Sequence, residues 1–437
     1  MTDISGQTNV ALHTLGCKLN QAEAELLARS FTGAGYHIAR PGAPAQVCVV
    51  NTCTVTHVAD GKGRRLLRWL RRRNPDALVV ATGCYAQRAP RELAAIDGVD
   101  VVVPRQDRGR VVEIVGEKMG MGTRRGGGQI QPPPGRSRSL VKVQEGCDQG
   151  CAYCIVPRVR GGEQSRAPRE IIDQVKERHS LGAREAVLTG TQIGSYRWDG
   201  TDLAGLLGRL LRETEIPRLR LSSLQPRDLS PRLLHLWEGS RLCAHLHIPL
   251  QSGSDGVLER MGRNYSSAEF TRAVSLARDM VPNIAITTDL MVGFPGESPR
   301  EFEASLRLCQ ELALAAIHVF PYSPRPGTRA ARMPDQVDAR VKKERTRRAL
   351  EMAADSAQAY RAQFLGQSPE VLWEAETADG MWSGLTDNYL RVFARSPEPL
   401  AGRFIPARLV GVKPRGLIGR PILDRPIIDM MEEEVEI

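Results

Sequence analysis

The stretch VQEGCDQGCAYCIVPRVRG (143–161) places Cys147, Cys151 and Cys154 in a C-x3-C-x2-C run. Three cysteines at this spacing can bind three irons of a cubane iron–sulfur cluster and leave the fourth iron open to a small molecule. Zinc sites more often combine two C-x2-C pairs, and no second pair lies nearby. The alternative is a buried cysteine cluster without a ligand. Glycines frame the run and allow backbone to approach a cluster closely, which favours the cluster: Gly146, Gly150, Gly161 and Gly162.

The bulk composition indicates a globular protein of several domains. The chain has 437 residues, of which 41% are hydrophobic and 25% charged. Its net charge of +10 favours an anionic partner such as nucleic acid, although a basic surface without a partner fits equally well. Nine cysteines are an odd number, unlike a secreted disulfide framework, and predict a reducing, cytoplasmic location. The N-terminus shows no signal-peptide pattern, and no apolar run is long enough to predict a membrane span.

A second set of cysteines lies in the N-terminal part, where residues 8–120 alternate between strand and helix patterns and predict an open parallel α/β sheet. Cys17 in TLGCKLNQ, Cys53 in NTCTV and Cys84 in ATGCYAQ each follow an apolar run. Because parallel strand ends gather at one crevice, the three thiols are predicted to form a second cluster site, with core thiols as the alternative. The remaining cysteines are predicted to be core residues: Cys48, Cys243 and Cys309.

Four further segments follow this domain. Residues 121–139 are rich in Gly, Pro and Arg and predict a linker. Residues 140–365 contain six strand–helix units and predict a partly closed parallel barrel, whose site lies at the C-terminal strand ends. Residues 366–430 contain short strand patterns typical of a small β-barrel. Residues 431–437 form an acidic tail.

Eight motifs match, in type and order, those of the radical S-adenosylmethionine (SAM) methylthiotransferase family, which the chain resembles from about residue 9 to 430. They are TLGCKLNQ, NTCTV, TGCYAQ, GCDQGCAYC, LTGTQIGSY, HIPLQSGSD, DLMVGFPGE and PYSPRPGT. The resemblance implies an α/β fold class. Its parts would be an N-terminal open parallel α/β domain, a central radical SAM partial (β/α)6 barrel and a small C-terminal all-β TRAM barrel.

The resemblance also implies two [4Fe–4S] clusters and SAM as cofactors. Catalytic Cys147, Cys151 and Cys154 would hold the cluster that cleaves SAM to a radical. An auxiliary cluster on the N-terminal triad would carry the transferred sulfur. The implied partners are a one-electron reductant and a sulfur donor. The remaining candidate cofactor-binding residues, each with ordinary packing or hydrogen bonding as the alternative, are Tyr153, Thr189, Gln192, Gln225, Gln251 and Asp289.

Two of these candidates have a specific expectation attached. Tyr153 would pack on the adenine of SAM. Gln225 stands where relatives carry Glu before the Pro of SSLQP, which removes the charge from any contact to SAM at that position.

The opening TLGCKLNQ resembles the subgroup that acts on tRNA beside the anticodon, at carbon 2 of N6-threonylcarbamoyladenosine (position 37). Isopentenyladenosine enzymes open more like YGCQMN, and enzymes that modify an aspartate of a ribosomal protein open more like SLGCPKN. A non-catalytic iron–sulfur RNA-binding scaffold is a further alternative. The threonyl carboxylate requires a cationic partner, which we expect to be an arginine, with Arg158 and Arg160 as candidates.

Overall fold

The first unit of the protein is a five-stranded parallel sheet with strand order β2-β1-β3-β4-β5. The computed structural model describes residues 8–40, 42–120 and 137–423. The strands are β1 (Asn9–Thr14), β2 (His37–Ile38), β3 (Val47–Thr52), β4 (Leu78–Gly83) and β5 (Val101–Val102). The helices are α1 (Lys18–Gly33), α2 (His57–Arg73), α3 (Cys84–Arg88), α4 (Pro90–Ala94) and α5 (Val111–Lys118). Every residue of β3 is buried because helices cover both faces of the sheet.

The second unit is a partial barrel of six parallel strands. Two three-stranded sheets, β6-β9-β12 and β13-β14-β15, are joined by single parallel bridges, Leu219 to Leu242 and Ser223 to His247. The barrel strands are β6 (Arg138–Lys142), β9 (Glu185–Thr189), β12 (Arg218–Leu221), β13 (His245–His247), β14 (Ala285–Val292) and β15 (Ala316–Pro321). The six-stranded barrel confirms the predicted fold class.

Further elements surround the barrel strands. Two short antiparallel pairs lie outside the barrel: β7 (Gln144–Glu145) with β8 (Gln164–Ser165), and β10 (Arg197–Trp198) with β11 (Thr201–Asp202). The helices are α6 (Val156–Arg160), α7 (Pro168–Ser180), α8 (Leu203–Glu213), α9 (Pro231–Leu234), α10 (Asp255–Met261), α11 (Ser267–Met280), α12 (Pro299–Glu311) and α13 (Ala339–Ala362). A large apolar core joins the helices to the outer faces of the strands.

The first barrel strand begins at Arg138, inside the segment 121–139 that the sequence predicts as a linker. Residues 121–136 lie outside the described residues. The strand begins with a charged residue because Arg138 has a carboxylate partner: its Nε donates to Glu374 Oε1 at 2.5 Å. The segment that reads as a linker therefore includes the start of β6, where the Arg138 side chain contacts the C-terminal unit.

The third unit is a closed five-stranded barrel with order β16-β17-β18-β20-β19, consistent with a TRAM domain. Its strands are β16 (Glu370–Glu376), β17 (Trp382–Thr386), β18 (Arg391–Ala394), β19 (Phe404–Lys413) and β20 (Gly416–Pro421). Residues 424–430 and the predicted tail 431–437 lie outside the described residues.

This small barrel covers the N-terminal ends of the large barrel's strands. Arg218 Nη1 donates to Leu385 O at 3.0 Å, and Arg220 Nη1 donates to Asp387 O at 2.8 Å. Ala285, the first residue of β14, packs in the small barrel's apolar core with Trp373. The opposite, C-terminal strand ends are thereby left for a reaction site.

Three cysteines are buried, as predicted for core residues: Cys48, Cys243 and Cys309. Cys48 and Cys309 pack in apolar clusters, whereas Cys243 Sγ lies 3.8 Å from Glu185 Oε2. Within the described ranges, no helix has the length and apolar character that a membrane crossing requires.

Candidate active site

The cysteine run forms a loop between β7 and α6, at the C-terminal side of the barrel. Two backbone N–H groups point at its sulfurs: Gln149 N lies 3.4 Å from Cys147 Sγ, and Val156 N lies 3.4 Å from Cys154 Sγ. N–H groups aimed at cysteine sulfur stabilise thiolates and tune iron–sulfur clusters. Burial, and after it the neighbouring Cys151, raises the pKa of the Cys147 and Cys154 thiols, in keeping with three thiols held in one loop.

The loop closes on itself through a glycine that no other residue can replace without rearrangement. Cys147 N donates to Gly161 O at 3.1 Å. Gly146 has φ +76°, and a Cβ at that position would lie 1.8 Å from Gly162 O. The close approach of the two backbone segments therefore requires Gly146, which explains its place in the frame of the run.

The second triad converges at the ends of three neighbouring strands. Cys17 lies just after β1, Cys53 follows β3 and Cys84 follows β4. The amide oxygen of Asn20 lies 3.8 Å from Cys17 Sγ and 4.0 Å from Cys84 Sγ. A Cβ at Gly16 would lie 2.7 Å from Cys53 Cβ, so the TLGC turn packs directly on the third thiol. The topology thus gathers three thiols that are far apart in the sequence.

The chemistry of both triads fits iron–sulfur clusters. Burial raises the pKa of the Cys53 thiol to about 11 and that of Cys154 to about 12, so these thiols are protonated at neutral pH unless a cation binds them. The described part of the chain contains no group of three side chains placed to ligate one metal ion. A cubane does not require such a group, because each cysteine binds a different iron.

Helix α6 connects the two triads. It begins two residues after Cys154, and Ile155 and Val159 pack against Cys84 in one apolar cluster. The last residue of the helix, Arg160, donates to Asn20 Oδ1 at 2.5 Å and to Glu23 Oε1 at 2.8 Å. The cysteine loop of the barrel and the thiols of the first unit are therefore parts of one packed assembly.

Arg160, Asn20 and Glu23 form a buried network that we did not predict from the sequence. Glu23 is completely buried and also pairs with Arg108 at 2.6 Å. Burial raises the pKa of its carboxyl, but Arg160 and Arg108 outweigh this and lower it to about 2. One signal was available: Cys17 and Asn20 are three residues apart at the start of α1, so they share a helix face.

Two predicted cofactor residues each have a buried polar atom without a hydrogen-bond partner among the described residues. Gln192 Oε1 lies 3.7 Å from Cys147 Sγ, whereas its Nε2 has no hydrogen-bond partner among the described residues. The Oε1 of Gln251 is likewise buried and unpaired with any described residue. Gln251 also has φ +66°, a conformation that costs energy outside glycine. Buried amide atoms without a partner among the described residues, one of them on a side chain that contacts Cys147, fit a polar ligand such as SAM.

Gln225 is tied to the cysteine loop through an arginine that the motifs did not reveal. Arg263 donates to Gln225 Oε1, and its Nη1 lies 3.4 Å from Cys151 Sγ. No carboxylate pairs with Arg263 within the ranges that the structure describes. Because Gln225 is neutral, it does not cancel the positive charge of Arg263 beside the cysteine loop. Arg263 belongs to no recognised motif, so only the tertiary structure could identify it.

Other predicted residues are occupied by packing. The Tyr153 ring lies edge-on to the Phe294 ring, with 6.4 Å between the ring centres, and packs against an apolar cluster beside the loop. Thr189 ends β9, and its carbonyl accepts from Val143 N at 2.9 Å. Stacking on adenine by Tyr153 and a SAM contact by Thr189 remain proposals.

Asp289 lies inside the barrel rather than at the strand ends. It precedes the end of β14 by three residues, and its Oδ2 lies 3.3 Å from His247 Nε2. The sequence predicted that Asp289 and Gln251 point toward the same barrel mouth. The structure brings the two residues together, since Gln251 N donates to Asp289 O at 2.8 Å, and β14 continues past Asp289 to Val292.

Two family matches cover most of the first two units. Residues 141–309 match the Radical SAM superfamily, and residues 9–104 match the family described as Uncharacterized protein family UPF0004. Among solved structures, the radical S-adenosylmethionine methyltransferase TsrM from Kitasatospora setae has a TM-score of 0.54. It covers 74% of this chain and 77% of its own at 16% identity, which shows a shared fold.

Curated relatives extend the similarity to nearly the full chain. The threonylcarbamoyladenosine tRNA methylthiotransferase MtaB of Bacillus subtilis is 36% identical, and the alignment covers 98% of this chain and 98% of its own. The protein of the same name from Thermotoga maritima is 36% identical and covers 87% of this chain and 90% of its own. The tRNA-2-methylthio-N(6)-dimethylallyladenosine synthase of Bacillus velezensis is 33% identical, with coverage of 93% and 84%.

The barrel and its cysteine loop define a radical SAM enzyme. With its full-length relatives, the chain belongs to the radical SAM methylthiotransferase family, as its motifs predicted. It is therefore a transferase, and SAM and [4Fe–4S] clusters are its cofactors.

Iron content tests the assignment of the two triads. We expect anaerobically reconstituted protein to bind about eight irons, which is two cubanes. Changing Cys147, Cys151 and Cys154 together to Ala should leave roughly half, because the second triad lies in a separate sheet. The matched control is Cys243→Ala, a buried barrel cysteine outside both triads. Unchanged iron in the triple variant, measured by a colorimetric iron assay, refutes the assignment.

Proposed function

We propose that this protein is a tRNA methylthiotransferase that acts at carbon 2 of N6-threonylcarbamoyladenosine at position 37, beside the anticodon. The product is 2-methylthio-N6-threonylcarbamoyladenosine. The observation that carries the proposal is that helix α6 joins the two cysteine triads: it begins beside Cys154, packs against Cys84 and ends at Arg160, which binds Asn20. The relatives at 36% identity bear the threonylcarbamoyladenosine name, which supports this substrate over the dimethylallyl one.

In this proposal, each triad has its own role. Cys147, Cys151 and Cys154 hold the cluster that supplies one-electron cleavage of SAM, and the N-terminal triad holds the cluster that supplies sulfur. Gln192 and Gln251 bind SAM through their unpaired amides, and Arg263 adds a positive charge beside Cys151. A one-electron reductant and a sulfur donor are the required partners, and the expected location is the cytoplasm.

Helix α2 offers a surface for the tRNA backbone. Its outer face carries an exposed Trp69 and five exposed cations that have no carboxylate partner in the described ranges: Lys62, Arg65, Arg68, Arg72 and Arg73. On α13, by contrast, three of the basic residues form ion pairs: Arg345 with Glu297, Arg347 with Glu344, and Arg348 with Glu303. Unpaired surface cations bind phosphates and release counterions, so we expect tRNA affinity to fall as salt rises.

Substrate choice tests the proposal directly. Purified enzyme with reductant and SAM receives three substrates: tRNA with threonylcarbamoyladenosine, tRNA with isopentenyladenosine, and the aspartate-containing ribosomal protein. We expect the first to gain one methylthio group, with kcat/KM at least about a hundredfold above the second, because a site with polar groups rejects an apolar analogue. Mass spectrometry of nucleosides and peptides provides the readout.

The outcomes separate the alternatives. Preference for isopentenyladenosine tRNA moves the protein to the sister subgroup of the family. Modification of the ribosomal protein overturns the RNA substrate, and failure to modify any of the three while SAM is cleaved supports another substrate class. The control enzyme lacks the N-terminal triad and reports the background of uncatalysed products.

A further inference from the structure

The lumen of the six-stranded barrel contains a polar site built by all three units. Its residues are Lys18 at the start of α1, His247 on β13, Asp289 on β14, His318 on β15 and Tyr389 from the small barrel. Lys18 Nζ lies 5.6 Å from the centre of the Tyr389 ring, and the rings of His247 and His318 are 5.7 Å apart.

These side chains face the lumen because their neighbours along the strands face outward. Leu246 and Leu290, which alternate with His247 and Asp289, pack in the apolar core with the surrounding helices. Tyr389 closes the lumen at the N-terminal strand ends, where the small barrel lies, and its ring centre is 4.5 Å from that of His245. His318 is exposed, and Lys18, Asp289 and Tyr389 are half-buried, so the site is open to a ligand.

Lys18 is a cation without a carboxylate partner among the described residues. Within the described ranges, no carboxylate lies within ion-pair distance of its Nζ, which instead lies over the face of the Tyr389 ring. The other cations around this ring are paired: Arg138 with Glu374, and Arg220 with Glu185. An ammonium partly removed from water without a counter-charge favours an anionic ligand.

The opposite wall of the site supplies hydrogen-bonding groups. Asp289 is the carboxylate there, and it contacts His247 at 3.3 Å. Burial lowers the pKa of His245, so this imidazole is neutral at pH 7 and can both donate and accept. The Nδ1 of His245 is buried and has no partner in the part of the chain that the structure describes.

Lys18 directly follows Cys17, which belongs to the triad that would hold the sulfur-supplying cluster. In the substrate, the threonylcarbamoyl group is attached to the same adenine ring that receives the methylthio group. A residue that recognises this group must therefore lie next to the second triad. Lys18 meets that requirement because it is joined to Cys17 through one peptide bond.

We propose that Lys18 binds the carboxylate of the threonylcarbamoyl group and thereby selects this nucleoside, an inference that rests on the proposed function. Asp289 and the histidines then face the neutral N–H and hydroxyl groups of the same substituent. An isopentenyl group offers no anion for Lys18, so it leaves the ammonium desolvated and without a counter-charge.

The arginines expected from the sequence do not fill this role. Arg160 is 5% exposed and already binds Asn20 and Glu23, and Arg158 lies exposed on α6 beside Gly327. Lys18 takes the role expected of these arginines. Helix α1 lies beside β6 at the open side of the barrel, and this position brings Lys18 into the lumen.

The test compares two anticodon stem-loops that carry either threonylcarbamoyladenosine or its carboxyl methyl ester at position 37. Wild-type reconstituted enzyme should bind the acid roughly ten- to a hundredfold more tightly than the ester, as expected for a hydrogen bond between charged groups. Lys18→Gln should bind both with equal Kd, and Lys18→Arg should restore the preference. Lys118→Gln, an exposed lysine on α5, is the matched control and should keep it. Iron content and affinity for the ester report that each variant is folded.

The results separate this inference from the proposed function. If wild type prefers the acid and folded Lys18→Gln keeps that preference, the role of Lys18 is overturned while the function stands. If wild type does not distinguish acid from ester, the inference also fails, regardless of how the variants fold. If wild type modifies isopentenyladenosine RNA and not the acid, the proposed function fails and this inference fails with it.

Discussion

Replacing Cys17, Cys53 and Cys84 together with Ala should abolish formation of the methylthio product while SAM is still cleaved to 5′-deoxyadenosine. The reason is structural: the SAM-side loop is closed by its own backbone bonds, whereas the second triad belongs to the sheet of the first unit. Product and 5′-deoxyadenosine are measured in the same reaction by mass spectrometry, with excess reductant.

The matched control is Cys48→Ala, a buried cysteine on β3 that points away from the second triad into the sheet's own core. It should keep both activities. Loss of SAM cleavage in a folded triple variant that retains about four irons would contradict separate roles for the two triads. Methylthio product from that variant would contradict the second triad as the source of the transferred sulfur.

Arg160→Met should reduce the free energy of unfolding by about 3 kcal/mol, because it leaves the buried Glu23 carboxylate without its bidentate partner. Arg108 and Lys142 remain near Glu23, which limits the loss. Anaerobic chemical denaturation of the apoprotein provides the measurement. The matched control is Arg158→Met on the same helix, where an exposed side chain should change stability by about 0.5 kcal/mol or less.

The Arg160 effect should also depend on pH. The pKa of Glu23 is about 2 in the folded protein, below its value of about 4.3 in an unfolded chain. The ion pair therefore contributes fully above about pH 4.3 and is lost as pH falls through the folded value. The stability difference between wild type and Arg160→Met should shrink between about pH 4 and 2. A difference that is constant over this range would show that lost packing, and not the charge, causes the effect.

The sequence predicted the parts of the fold that depend on local pattern. Apolar runs separated by helical segments indicated the parallel sheet and the six-stranded barrel, because strand and helix periodicities differ and parallel strands need helical crossovers. The C-x3-C-x2-C run predicted a cluster from spacing alone, since its three thiols lie in one loop. The sequence predicted that the barrel begins at residue 140, whereas β6 begins at Arg138, because a polar strand end resembles a linker.

The tertiary structure alone decided which distant residues meet. Arg160 and Glu23 are separated by 137 residues, and Lys18 and Tyr389 belong to different units, so no periodicity connects them. Their contacts arise because α1 packs beside β6 and the small barrel closes the lower end of the large one. The sequence by itself determined the elements and the chemical types of the thiols. Only packing between units determined the network at Arg160 and the cation in the lumen, because long-range contacts depend on how surfaces fit together.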